Sequence, residues 1–332
     1  MKTKQLVAFV VAAAVFLVTG IASVAINTWS EFSLSSSNSM YEDLFGDTGV
    51  VTPTEDYIAV IEVVGTIYSE PTVSMWGESE GYDHPATMNY VDQLMEDDYN
   101  KGILLYMNTP GGEVTASDDL YLKLMEYKKV TGNKIYCYYA DQSCSGGYYI
   151  SMAADEIYAN RNCWTGSIGV IISLANMQGL YEKLGVKEIN ITSGANKAMG
   201  SAGEELTAEQ RDILQSMVDE AYDQFVSIIV DGRGLSEDKV RELGDGRIYT
   251  AKQALEEDLI DGICTEDEYY DRIYVELGED ILIFERSADS YGFENLFASM
   301  QSLKPQSDAE VVAEMMEKEN MGGLMYYADI VR

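Results

Sequence analysis

Between residues 57 and 263, short apolar runs alternate with stretches whose apolar residues recur every three or four positions. The strand-like runs are 57–65, 102–107, 134–140, 156–159, 169–173 and 186–192, rich in Ile, Val, Leu and Tyr. Helix-period segments fall between several of them, at 86–98, 113–129, 145–154 and 175–184. Such alternation predicts an α/β domain with a mostly parallel sheet. A longer helix is expected over 207–230: Thr207 and Gln210 have capping-box spacing, and Ile213, Leu214, Met217, Ala221, Phe225 and Ile228 recur at helical period. That stripe reads as core or as a contact between subunits. The turn Gly244-Asp245-Gly246-Arg247 then leads into Ile248-Tyr249-Thr250 and a short helix over 251–257.

The two ends break this pattern. No charge occurs from Gln5 to Ser30, and residues 6–26 are almost wholly apolar. That length matches the roughly 20 residues a helix needs to cross the hydrocarbon core. Lys2 and Lys4 before it and Glu31 after it place the N-terminus in the cytoplasm and the remainder outside. A cleaved signal peptide is the rival, with Ser23-Val24-Ala25 as its cleavage site, but the apolar run exceeds the usual 7–15 residues. The expected organisation is an anchor over 1–28, a flexible Ser-rich stalk over 29–55, a catalytic domain over 56–286 and a tail over 287–332. The tail contains a helical stretch near 309–319 and ends in an apolar segment behind Gly322-Gly323. This segment either docks or frays; as a docking segment it would enter the domain's own groove or a neighbour's.

Of the 332 residues, 56 are Asp or Glu and 22 are Lys or Arg, giving a net charge of −34. This excludes a phosphate-backbone binder, so no nucleic-acid partner is expected. Cys137, Cys144, Cys163 and Cys264 are too few for a disulfide scaffold, although Cys137 and Cys144 could pair outside the cell; burial as small apolar residues is the plainer reading. No spacing suits zinc, and neither a metal nor a cofactor is expected.

The candidate chemistry centres on Ser145-Gly146-Gly147-Tyr148-Tyr149, a serine and two glycines at a helix entry. The only histidine, His84, sits in the separate turn Tyr82-Asp83-His84-Pro85, so a serine nucleophile here needs another base. Lys197 is the candidate because its neighbours Ala195, Asn196, Ala198 and Met199 carry no charge. A lysine acts as a base only where it is dry and free of carboxylates. Without the serine, it would read as a surface lysine. A second glycine pair, Gly111-Gly112, follows another strand in Asn108-Thr109-Pro110. Bare glycine amides at 111, 112 and 146 could bind a developing oxyanion, or they could simply be tight turns. Ser167 is a third hydroxyl, able to hold the lysine amine or to serve as a turn residue. Ser143 competes with Ser145 but does not directly precede the glycines.

Taken together, these motifs resemble the signal peptide peptidase A (SppA) family of membrane-anchored Ser–Lys proteases. The shared features, in order, are Pro110-Gly111-Gly112, Ser145-Gly146-Gly147-Tyr148-Tyr149, Thr165-Gly166-Ser167-Ile168-Gly169-Val170, Ser193-Gly194 with Lys197, and Asp245-Gly246-Arg247. The resemblance implies a ClpP/crotonase-like fold, with Ser145 as nucleophile, Lys197 as general base and Ser167 assisting it. It implies oxyanion donors at Gly112 and Gly146, with Gly111 a further candidate. It also implies a ring-shaped homo-oligomer, an octamer in short members, whose neighbouring subunits complete each site, and cleavage of remnant signal peptides. Thr109 and Cys144 depart from the family pattern without removing a catalytic group. Two other classes fit less well: an acyl-CoA enzyme on the same fold, and a catalytically inert membrane scaffold.

Overall fold

The computed structural model describes residues 50, 52–71, 81–286 and 325–327. The expected membrane segment and the helical stretch near 309–319 lie outside the described residues. Among those described, no helix is long and apolar enough to cross a membrane. The chain divides after Val51, and every element below belongs to the second unit.

In chain order the elements are β1 (Tyr57–Val64), α1 (His84–Glu96), β2 (Asn100–Thr109), β3 (Gly111–Glu113), α2 (Val114–Thr131), β4 (Lys134–Cys144), α3 (Gly146–Ser151), β5 (Glu156–Ala159), β6 (Trp164–Gly166), α4 (Gln178–Leu184), α5 (Ala208–Arg233), α6 (Glu237–Leu243), β7 (Ile248–Thr250), α7 (Ala251–Glu256), β8 (Gly262–Ile263), α8 (Glu266–Leu277), β9 (Leu282–Glu285) and β10 (Met325–Tyr327). The main sheet runs β7-β6-β4-β2-β1-β9, with β5 joining β4 to β8. All its pairings are parallel except β6 with β7. The architecture is thus mixed α/β around a largely parallel sheet, as the alternating pattern predicts.

Parallel strands are covered on both faces and so read as continuous apolar runs. Ile58, Val60, Leu104, Tyr136 and Tyr138 form one face and pack under Tyr269 and Ile273 of α8. The alternate residues Ala59, Ile61, Ile103, Leu105, Met107, Ile135, Cys137 and Tyr139 are buried on the other. There α3 lies against β2 and β4, and α1 packs beside α2. The capping box expected at Thr207 and Gln210 is present, and two more begin α7 and α8. The four cysteines are free thiols, three of them buried. Burial pushes Cys144 up to about 12 and holds Cys137 far above the ordinary thiol range, so both are inert.

Two expected strands do not form. Residues 169–173 contribute only an isolated bridge at Ile171, and 186–192 have no strand partner at all. Their apolar side chains face outward: Ile189 is 73% exposed and Ile191 97%. No residue from 169 to 220 is buried within the chain, including the first half of α5, where Met217 is exposed. The apolar stripe of α5 is therefore core only from Ala221 onward. β-Branched sequence makes a strand only where an edge accepts it, and beyond the Ile171 bridge this arm lies against none among the described residues.

Candidate active site

Ser145 sits at the junction of β4 and α3 with φ 53° and ψ −112°. A non-glycine residue held there costs about 1–3 kcal/mol and persists only where its surroundings over-determine it. The surroundings do so here. The Ser145 amide donates to the Gly166 carbonyl at 2.7 Å, and the Ser145 carbonyl accepts from the Tyr149 amide at 2.9 Å. All six residues of α3 are buried. The Ser145 hydroxyl is itself fully buried and has no hydrogen-bond partner among the described residues.

The sheet brings the predicted glycines to this serine. A Cβ on Gly146 would lie 3.2 Å from the Gly112 amide nitrogen and 2.5 Å from the Ser117 hydroxyl. One on Gly147 would strike the Thr109 methyl at 2.6 Å. These contacts explain the residue type at both positions. Gly146 opens α3, where the first helical amides have no intrahelical partner. Gly111 fares differently: its amide donates to the Thr109 hydroxyl at 3.0 Å, within its own turn. That leaves the amides of Gly112 and Gly146 as the pair able to receive an oxyanion.

The stretch that follows β1 backs this strand. Ile67 donates to the Gly111 carbonyl at 2.9 Å and accepts from the Glu113 amide at 2.8 Å. Strand alternation then turns the amide and carbonyl of Gly112 to the opposite edge. On that edge lies β10, antiparallel, with Tyr326 opposite Gly112 and Met325 opposite Glu113. The far side of β10 is held by Ile171, which exchanges two hydrogen bonds of 3.1 Å with Met325. Residues 325–327 are therefore clasped as an extended strand between β3 and Ile171, with the backbone at Tyr326 against the candidate oxyanion amide. The role of Ile67 was not legible in sequence, because it is a backbone contact 45 residues from Gly112. A Cβ on Gly112 would meet the Ile67 carbonyl oxygen at 1.9 Å. Gly112→Ala is thus expected to part β3 from its backing strand and lower kcat roughly 10²–10³-fold, the range seen when an oxyanion donor is lost. Steady-state hydrolysis checks it, with Gly179→Ala on α4 as control, where nothing lies within 4 Å and φ is not left-handed.

Ser167 follows Gly166, lies almost buried with φ 48°, and donates its amide to the Arg247 carbonyl at 2.8 Å. It is therefore adjacent to Ser145 through the Gly166 carbonyl. Ser143 is also buried with no partner for its hydroxyl, two residues before Ser145 on β4. Lys197 is exposed in a turn of the 169–206 arm, its amide donating to Gly194, and it makes no ion pair among the described residues. No hydrogen bond joins it to Ser145 within one chain. His84 is engaged elsewhere, with Nδ1 2.7 Å from the Tyr82 hydroxyl, and burial lowers its pKa.

Residues 127–278 match the model of peptidase family S49. A putative signal peptide peptidase SppA of Enterococcus faecium is 37% identical over 70% of this chain and 70% of its own length. A putative protease of Synechocystis is 38% identical over 65% of this chain and 73% of its own. Protease 4 of Haemophilus influenzae is 30% identical over 64% of this chain and a third (33%) of its own. The chain belongs to the signal peptide peptidase A family, within peptidase family S49.

Proposed function

We propose that the protein is a membrane-anchored serine endopeptidase that degrades apolar peptides, remnant signal peptides among them, outside the cytoplasm. The observation that carries this reading is the unpartnered Ser145 hydroxyl on a strained turn, beside a glycine strand whose free edge already holds an extended segment. Ser145 Oγ attacks the scissile carbonyl while a neutral Lys197 amine, steadied by Ser167, takes its proton. The amides of Gly112 and Gly146 bind the oxyanion, and the lysine returns the proton to the leaving amine. A substrate pairs with β3 as β10 does, through its backbone, which suits peptides of varied sequence. A cavity of about 630 Å³ beside Ile171, of mixed lining with Leu174, Leu214 and Val218 beside Glu204, Glu205 and Arg211, offers room for side chains flanking that track.

The exposed Lys197 and the unburied arm from 169 to 220 support a ClpP/crotonase-like ring in which the arm packs on a second copy. Exposed Ile189, Ile191, Leu184 and Val186 would be covered there, and Lys197 would be dried and presented to a neighbour's Ser145.

The test is hydrolysis of a synthetic signal peptide by the full-length chain, against a polar peptide of equal length. Preferential cleavage of the signal peptide is expected; cleavage of neither overturns the reading. Deleting residues 320–332 is expected to raise kcat/KM roughly tenfold, since a tethered strand competes at an effective concentration near millimolar. An unchanged rate would mean that β10 does not lie on the substrate track.

A further inference from the structure

We infer that the Tyr149 hydroxyl is a positioning hub that sets the nucleophile against the oxyanion strand, with Asp118 and Gln224 as its two anchors. The inference rests on Ser145 being the nucleophile and extends it to residues outside the Ser–Lys–Gly set. Tyr149 lies on α3, four residues after Ser145, and its amide carries the hydrogen bond to the Ser145 carbonyl. Its side chain therefore fixes how α3 is rolled, and with it the direction of the Ser145 Cβ. The ring is fully buried, edge-on to Tyr121 at 5.6 Å and tilted against Phe225 at 5.1 Å.

Its hydroxyl donates to the Asp118 carboxylate and accepts from the Gln224 side-chain amide at 2.7 Å. Asp118 is on the second turn of α2, the helix that continues directly from β3 and its glycines. Gln224 is on α5, which the 169–206 arm bearing Lys197 enters. One phenol thus joins the helix of the nucleophile, the helix fixed to the oxyanion strand, and the helix fed by the arm of the base. Bonds to a charged acceptor are about twice as strong as neutral ones, which makes the Asp118 bond the stiffer of the two. Tyr148 plays no such part, because its hydroxyl donates to the Leu259 carbonyl at 2.9 Å, between α7 and β8, and not to α2.

The experiment compares full-length wild type, Tyr149→Phe, Asp118→Ala, Asp118→Asn, Tyr148→Phe and the Tyr149→Phe/Asp118→Ala double variant. Peptide hydrolysis and the rate of Ser145 labelling by a fluorophosphonate probe are both read. Tyr149→Phe keeps the ring and the filled core, so the fold is retained. A small misplacement of reacting groups costs about 10²-fold, so kcat and labelling are expected to fall roughly 10- to 100-fold with KM little changed. The double variant should match the worse single variant, Asp118→Asn should recover part of the loss because its amide oxygen still accepts, and Tyr148→Phe should label at the wild-type rate. Wild-type kcat and labelling in Tyr149→Phe, or additive losses in the double variant, would overturn the hub. Absence of labelling in the wild type would instead remove Ser145 as nucleophile, and the hub's catalytic role with it.

Discussion

Replacing Ser145 with alanine is expected to lower kcat about 10⁴–10⁶-fold, the range that follows loss of a serine nucleophile, without weakening the fold. The stability half of this prediction comes from the geometry. Ser145 Oγ is buried with no partner, and a buried, unsatisfied hydroxyl costs about 1–3 kcal/mol. Alanine removes that hydroxyl and leaves the backbone as it was, so thermal unfolding should be unchanged or slightly raised. Glycine at 145 separates the two costs further. It relieves the strain at φ 53° and ψ −112° as well, and each kcal/mol gained raises Tm by about 2–4 °C in a domain of this size. Both variants should be inactive and at least as stable as wild type. A marked fall in Tm would show that the hydroxyl has a structural partner, and residual hydrolysis within tenfold of wild type would remove Ser145 from the chemistry. Ser143, two residues earlier and likewise buried with no hydroxyl partner among the described residues, supplies the control: Ser143→Ala should gain similar stability and keep most of its activity.

The sequence and the structure agree where local chemistry decides the conformation. The apolar runs at 57–65, 102–107 and 134–140 are buried on both faces, so their composition alone marks them as parallel strands. Thr207 and Gln210 cap α5 through bonds confined to four residues. Gly112, Gly146 and Gly147 were legible as glycines with a purpose, and the crowding at their Cβ positions supplies the reason. The arm departs from the strands its sequence predicts because Ile189 and Ile191 have strand-forming side chains, but no edge among the described residues accepts them. The backing of β3 by Ile67 and the meeting of Asp118, Tyr149 and Gln224 could not be read at all. Each joins residues 31 to 75 positions apart through a backbone group or a hydroxyl that no periodicity reports.

The prediction for Lys197 brings the arm and the serine together. Lys197→Ala is expected to lower kcat by about 10⁴-fold or more, as loss of the base of a serine enzyme does, but to differ from Ser145→Ala in kind. The hydroxyl remains, so activity should partly return as pH rises and hydroxide takes over the proton transfer, whereas Ser145→Ala should stay inactive at every pH. Within one chain Lys197 lies exposed and forms no hydrogen bond to Ser145, while a proton acceptor must reach within about 2.6–3.2 Å. The arm that carries it buries no residue in its own subunit. If a second copy supplies the missing contact, two inactive chains should complement each other. Coexpressed Ser145→Ala and Lys197→Ala subunits would pair an intact serine with an intact lysine at about a quarter of the sites in a head-to-tail ring. A base acting within its own chain leaves no complete dyad in such a mixture, and the preparation would be inactive. Recovery of peptide hydrolysis places Lys197 across an interface, its failure returns the lysine to its own serine, and full activity in Lys197→Ala alone removes it as the base.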